Sequence, residues 1–175
     1  ALIIGVAVFY LLNHFFLDLS LIPIVHLLPF FAILVAVHVT GIIDDFTNLR
    51  ARYKFFIQFA GASVLAFTGF TISTVSLPWS GAIINLGPIG YVFTIFWIAG
   101  ISNAINFIDG MDGLSSGTSL IAALTFGIVF SILGNATSAM ISFALFGALV
   151  GFLFFNWPPA KIFMGDSGAI FIGFA

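Results

Sequence analysis

Apolar runs of spanning or near-spanning length follow one another along this chain, and its few charges are confined mainly to the short segments between them. Charged residues are 6% of the 175 and hydrophobic residues 62%, with a mean hydropathy of +1.28. A soluble domain covers its surface with roughly a quarter charged residues. This chain lacks the means to do so, and lipid is its expected solvent. The absence of cysteine excludes disulfides, thiolate catalysis and zinc–thiolate sites. The net charge of −2 says little about partners, and no nucleic-acid partner is expected.

A helix needs about 20 mostly apolar residues to cross a bilayer. The candidate spans are 1–17, 22–43, 55–70, 89–105, 118–133 and 136–155, with a seventh beginning near Ser167. Several are slightly short, so their ends should extend into flanking residues. Residues 1–17 lack the basic start and small-residue cleavage pattern of a signal peptide and are read as a helix. The last run is too short to span, and the sequence reads as part of a longer protein. Between Thr71 and Gly87 the pattern changes to β-branched runs separated by Pro78, Ser80 and Gly81. Open strand edges are not tolerated within lipid, so a short hairpin at the interface is expected. The predicted fold is all-α: a polytopic transmembrane helix bundle with a short extracytoplasmic β-hairpin, residues 1–175 forming one transmembrane domain.

The charges test the span assignment. Asp44, Asp45, Arg50, Arg52 and Lys54 lie between the second and third spans. One helix out and one back brings Asp109 and Asp112 to the same side, and another pair of crossings brings Lys161 and Asp166 there. All four basic residues and five of the six acids thus share one face, which the positive-inside rule makes cytoplasmic. Asp18 falls opposite, with the hairpin.

Three segments on that face carry acids. In residues 41–54, adjacent Asp44 and Asp45 repel one another unless a cation or hydrogen bonds offset the charge. Simple solvation beside Arg50, Arg52 and Lys54 is the alternative. In residues 103–117, Asn106, Asp109 and Asp112 recur every three residues, which on a helical turn would align them along one side. Asp112 or Ser115 could instead cap the next helix. Neither cap accounts for two Asp and two Asn at the end of an apolar span, where ionisable groups are functional candidates. In residues 156–168, Gly165 to Gly168 lead into a helix whose first amides could bind an anion; a capped helix after a Pro-rich turn is the plainer reading. Short oxygen ligands without Glu or Cys suit a hard ion such as Mg²⁺, which takes one or two carboxylates plus substrate phosphates. The basic residues would contact the remaining phosphate oxygens. His14, His26 and His38 lie within apolar spans at unrelated depths and are read as packing or interfacial groups.

Ile43-Asp44-Asp45 with Lys54, then Asn103-Ala104-Ile105-Asn106-Phe107-Ile108-Asp109-Gly110-Met111-Asp112-Gly113-Leu114, then Pro159-Ala160-Lys161-Ile162-Phe163-Met164-Gly165-Asp166-Ser167-Gly168 resemble the motifs of the polyprenyl-phosphate N-acetylhexosamine-1-phosphate transferases, glycosyltransferase family 4. The order and spacing are similar, and the likeness runs through nearly the whole chain. Leu77-Pro78-Trp79-Ser80-Gly81 with Asn85-Leu86-Gly87 looks more like the branch that uses UDP-GlcNAc than the branch that uses UDP-N-acetylmuramoyl-pentapeptide. The resemblance implies a longer enzyme of ten or eleven helices, of which this chain is the middle. It implies transfer of a sugar-1-phosphate from a UDP-sugar to undecaprenyl phosphate at the cytoplasmic face of the cell membrane. By motif position Asp166 would bind Mg²⁺ (or Mn²⁺), with Asn106 as second ligand. Phe163 would stack on uracil, Asn156 and Asp112 would contact the nucleobase, and Asp109 the nucleotide region. Asp44 and Asp45 would act at the lipid phosphate, with Lys54 and Lys161 on phosphate or substrate groups. A homodimer is kept open as its assembly. A cation-coupled transporter is the rival of another class, but it would carry its acids near the bilayer midplane, whereas here they fall at helix ends. A non-catalytic scaffold would not need clustered Asp, Asn and Gly.

Overall fold

The computed structural model describes every residue except Asp18 and Ser20; the expectation for Asp18 therefore lies outside the described residues. The elements are α1 (Leu2–Leu12), a π-helical turn (Asn13–Leu17), α2 (Ile24–Thr47), α3 (Ala51–Phe67), β1 (Thr74–Ser76), β2 (Ile83–Asn85), α4 (Ile89–Ile108), α5 (Leu114–Ile132), α6 (Ala136–Asn156) and α7 (Gly165–Phe174). Among the described residues α2, α4, α5 and α6 are long and apolar enough to cross a membrane. Large apolar side chains such as Ile4, Phe15, Phe56, Phe96, Ile121 and Phe154 are exposed along the helices, as expected where lipid is the solvent. The helical membrane architecture read from the sequence is therefore observed, and each expected span has its helix.

The chain divides into two compact units, one of residues 1–28 and 107–164 and the other of residues 29–106 and 165–175. In the first, α5 and α6 form a helical hairpin. Gly134, at φ +72°, turns the chain between them, and the Asn135 side chain caps α6 by accepting from the Ser138 amide at 3.1 Å. Their contact uses small residues: a Cβ on Gly127 would lie 2.7 Å from the Phe143 ring. Helices with no hydrophobic drive to associate in lipid gain their packing from such close approach.

In the second unit α7 is seated by two equally tight contacts. A Cβ on Gly41 of α2 would lie 2.3 Å from Ser167 Cα, and one on Gly173 of α7 would lie 2.2 Å from Ser102 Cα of α4. Leu34, Val37, Ala62, Leu65, Ala99, Ala169, Ile170 and Phe174 of this unit are buried. The strands pair antiparallel, Thr74 opposite Asn85 and Ser76 opposite Ile83. Trp79 at the hairpin tip is 90% exposed.

Two details differ from expectation. Helix α4 ends at Ile108 and α5 begins at Leu114, so Asn106 is helical while Asp109 and Asp112 lie in the turn between. The three-residue spacing therefore does not align them on one helix face: Gly110 and Gly113, the latter at φ +73°, favour a turn over another helical one. Neither Asp112 nor Ser115 caps α5, whose N-cap is Gly113 without a side-chain bond.

Candidate active site

In the second unit, four helix ends bring polar side chains together. Asp44 and Asp45 lie near the end of α2, Lys54 in the first turn of α3, Asn106 in the last turn of α4 and Asp166 in the first turn of α7. The sequence places them there for local reasons. Asn48, at φ +50°, ends α2 in the left-handed conformation that Asn tolerates. The Leu49 amide that this turn frees donates to Asp44 Oδ1 at 2.7 Å.

Lys54 Nζ pairs with the Oδ2 atoms of both Asp44 and Asp166, the latter at 2.5 Å. Asn106 Nδ2 donates to the other oxygen of Asp166 at 2.9 Å. Asp44 is only 4% exposed, and Lys54 and the Leu49 amide supply the partners that a buried polar group needs. Partial burial of Asp166 works against its ionisation. Hydrogen bonding with Asp44, Lys54 and Asn106, and the Lys54 charge, outweigh it and hold the carboxyl down to about 2. Burial of the Lys54 ammonium would lower its pKa, but Asp166 and Asp44 raise it above the ordinary value, so the pair is charged at neutral pH.

Asp45 faces a different group. Its Oδ1 accepts from the Asp166 amide at 3.0 Å and its Oδ2 from the Ser167 amide at 3.4 Å. The α7 N-terminus thus does bind an anion, and that anion is the chain's own Asp45. His38 Nδ1 lies 3.2 Å from the Ser167 carbonyl oxygen, and its ring meets the Phe171 ring edge-on, a packing role like the one its apolar span suggested.

The other unit carries Asp109, Asp112, Asn156, Lys161 and Phe163. Asn156 is buried, and its amide is the hub of the segment that follows α6. Its Oδ1 accepts from the Gly113 amide at 3.1 Å and from Ser116 Oγ at 2.7 Å, while its Nδ2 donates to the Ile162 carbonyl at 3.0 Å. Asp112 Oδ2 accepts from the Ala160 amide at 3.0 Å. These bonds tie residues 156–162 to the start of α5 and leave the Phe163 ring 73% exposed, with a face free for stacking. Lys161 is exposed, and Asp109 is half-buried in the turn after α4.

Gln58, which the sequence reading did not single out, is 3% exposed and hydrogen-bonded to Asn103. The signal was available: a lone amide side chain in an apolar helix, one turn beyond Lys54 and so on the same face.

Among the described residues no three His, Asp or Glu side chains form a cage for a metal ion. The donor set is nonetheless that of a hard cation which completes its shell with water and substrate oxygens. Asp166 is ionised and the Asn106 carboxamide oxygen is not used by the Asp166 bond.

Apolar spanning helices with a charged cluster at their ends define a multi-pass membrane protein. The sequence profile of Glycosyl transferase family 4 matches residues 27–175, and the chain belongs to that family. It is 41% identical over 137 residues to a Bacillus subtilis (strain 168) protein named "Probable undecaprenyl-phosphate N-acetylglucosaminyl 1-phosphate transferase", covering 78% of this chain and 38% of that one. It is 38% identical over 145 residues to the phospho-N-acetylmuramoyl-pentapeptide-transferase of Listeria innocua serovar 6a, covering 76% of this chain and 44% of that one. The chain thus spans less than half the length of these curated relatives.

Proposed function

We propose that this chain carries part of the active site of an enzyme that transfers a sugar-1-phosphate, GlcNAc-1-phosphate in the preferred reading, from a UDP-sugar to undecaprenyl phosphate. The observation that carries this reading is the bridge made by Lys54 between Asp44 and Asp166, with Asn106 on the second oxygen of Asp166. A site that joins two phosphates must offset their mutual repulsion, and phosphoryl transfer is catalysed mostly by positioning and electrostatics.

In this reaction an oxygen of the lipid phosphate attacks the sugar-linked phosphorus of the donor. The bond from that phosphorus to the bridging oxygen breaks, and its electron pair leaves with UMP. A phosphate monoester has a second pKa near 6, so the acceptor is largely dianionic at neutral pH and needs little help from a base. Lys54 therefore serves chiefly to neutralise charge at the acceptor phosphate, and Asp44 to hold that ammonium in place. Mg²⁺, with Mn²⁺ as its substitute, would be held by Asp166 and the Asn106 carboxamide oxygen and would neutralise charge on the donor pyrophosphate. Phe163 would stack on uracil with Asp112 on the nucleobase side; Asn156, expected there as well, is buried and would instead hold the segment that carries Phe163. Asp109 and Lys161 would serve the rest of the donor. The basic residues favour the cytoplasmic side of the inner (plasma) membrane for the site.

The likeness to the Listeria innocua protein supports a second reading, in which the donor is UDP-N-acetylmuramoyl-pentapeptide. Membranes containing the full-length protein, given undecaprenyl phosphate and either radiolabelled donor, decide between them. Label from UDP-GlcNAc should enter the lipid fraction with release of UMP. Transfer from the pentapeptide donor alone selects the second reading, and transfer from neither removes both.

A further inference from the structure

We propose that Asp45 is a positioning residue: its carboxylate caps the first turn of α7 and thereby sets Asp166, and it does not itself touch substrate. The inference rests on the reading of Asp166 as the residue that holds the metal. Asp44 and Asp45 are neighbours in sequence, but consecutive side chains on a helix point about 100° apart. Asp44 is buried against Lys54, whereas each oxygen of Asp45 accepts from a separate amide at the start of α7, Asp166 at 3.0 Å and Ser167 at 3.4 Å. The first amides of a helix have no partner within it, and they lie at the positive end of its dipole. An anion that bridges two of them holds that turn in place.

The approach depends on Gly165. Its φ of +66° turns the chain into α7, and a Cβ there would lie 3.0 Å from Asp45 Oδ2. The first turn of α7 is held by groups from outside the helix. Gly41 packs against Ser167 from α2, His38 reaches the Ser167 carbonyl, and Asp45 supplies the remaining anchor at the amide end. Asp166 is the residue this arrangement aims: its amide is held by Asp45 while its carboxylate is held by Lys54 and Asn106.

The test uses full-length protein in lipid nanodiscs and two readouts. Loss of a helix cap shifts local opening by about tenfold. Hydrogen exchange of the Asp166 and Ser167 amides should accordingly speed up by about tenfold in Asp45→Ala. In Asp45→Asn, which keeps one acceptor and guards against a variant that fails to fold, the increase should be smaller. Unchanged exchange in both variants overturns the proposal. Mn²⁺ binding, followed by electron paramagnetic resonance, supplies the second readout. Asp45→Ala should weaken it in the otherwise native protein and cost nothing further in an Asp166→Asn background. A further loss in that background means that Asp45 meets the metal directly, which also overturns the proposal. If Asp166→Asn binds Mn²⁺ as well as the native protein does, the metal reading of Asp166 falls, while the exchange result still decides whether Asp45 is the cap.

Discussion

Lys54 and Asp166 are 112 positions apart in sequence, yet the ammonium of one and a carboxylate oxygen of the other are 2.5 Å apart, joining the first turns of α3 and α7. The same ammonium also pairs with the buried Asp44. One cation thus compensates two acids contributed by different helices, and its removal leaves both without their charge partner.

Lys54→Met should therefore damage stability as well as turnover. Removing one partner of a fully buried pair costs about 3–5 kcal/mol. Lys54 and Asp166 are each about 30% exposed, so solvent screening reduces the figure to about 1–3 kcal/mol. Lys54→Arg keeps the charge but brings a wider, planar group and should recover stability better than activity. Thermal unfolding in detergent, alongside the transfer assay, measures both. A Lys54→Met protein as stable as the native one would contradict the bridging role.

The pH dependence follows from the depressed Asp166 carboxyl. Its ordinary value is 3.8 and its folded value about 2. A group lowered on folding contributes stability that is fully present above its unfolded pKa and is lost as pH falls through the folded one. Its contribution should thus be constant from neutrality down to about pH 4 and fade between there and about pH 2. Carbon-13 chemical shifts of labelled aspartate follow this titration; an Asp166 midpoint at or above 4 would contradict the pairing.

Gly41→Ala probes the seat of α7. The added Cβ would meet Ser167 Cα at 2.3 Å and Ser167 N at 2.8 Å, both backbone atoms that cannot rotate away. Overpacking of this kind costs about 1–3 kcal/mol, and the displaced turn carries Asp166 with it. Gly100→Ala is the matched control, because nothing lies within 4 Å of its added Cβ; it should change stability by no more than about 0.5 kcal/mol. Equal effects at the two positions would show that helical glycine content, not the contact with Ser167, governs the result.

Phe163→Ala should weaken binding of the UDP-sugar by about 1–3 kcal/mol, the worth of one aromatic stacking face, and leave binding of the lipid phosphate nearly unchanged. Separate KM values for the two substrates report this. Equal loss for both would argue against a uracil platform.

Much of this could be read along the chain. The scarcity of charge required lipid as solvent, the apolar runs located the helices, and the motifs pointed to Asp44, Lys54, Asn106 and Asp166, which the fold gathers in one unit. The misreading at Asn106, Asp109 and Asp112 came from extending helical periodicity across Gly110 and Gly113, where the backbone turns. Gln58 was overlooked because a single amide in an apolar helix belongs to no motif, although its place one turn beyond Lys54 was a signal; the structure adds its pairing with Asn103.

Lipid exposure and helix length follow from composition and spacing, which are local properties and survive without knowledge of the fold. Partner choice does not. Asp44 and Asp45 are chemically identical, and only the packing of α2 against α3 and α7 sends one to an ammonium and the other to a pair of backbone amides. The same holds for Asn156, whose carboxamide could have faced a ligand but is committed to Gly113, Ser116 and Ile162. Hydrogen bonds fall off within an ångström or so of their best geometry, and distances of that fineness are set by how glycines such as Gly41 and Gly173 let helices approach.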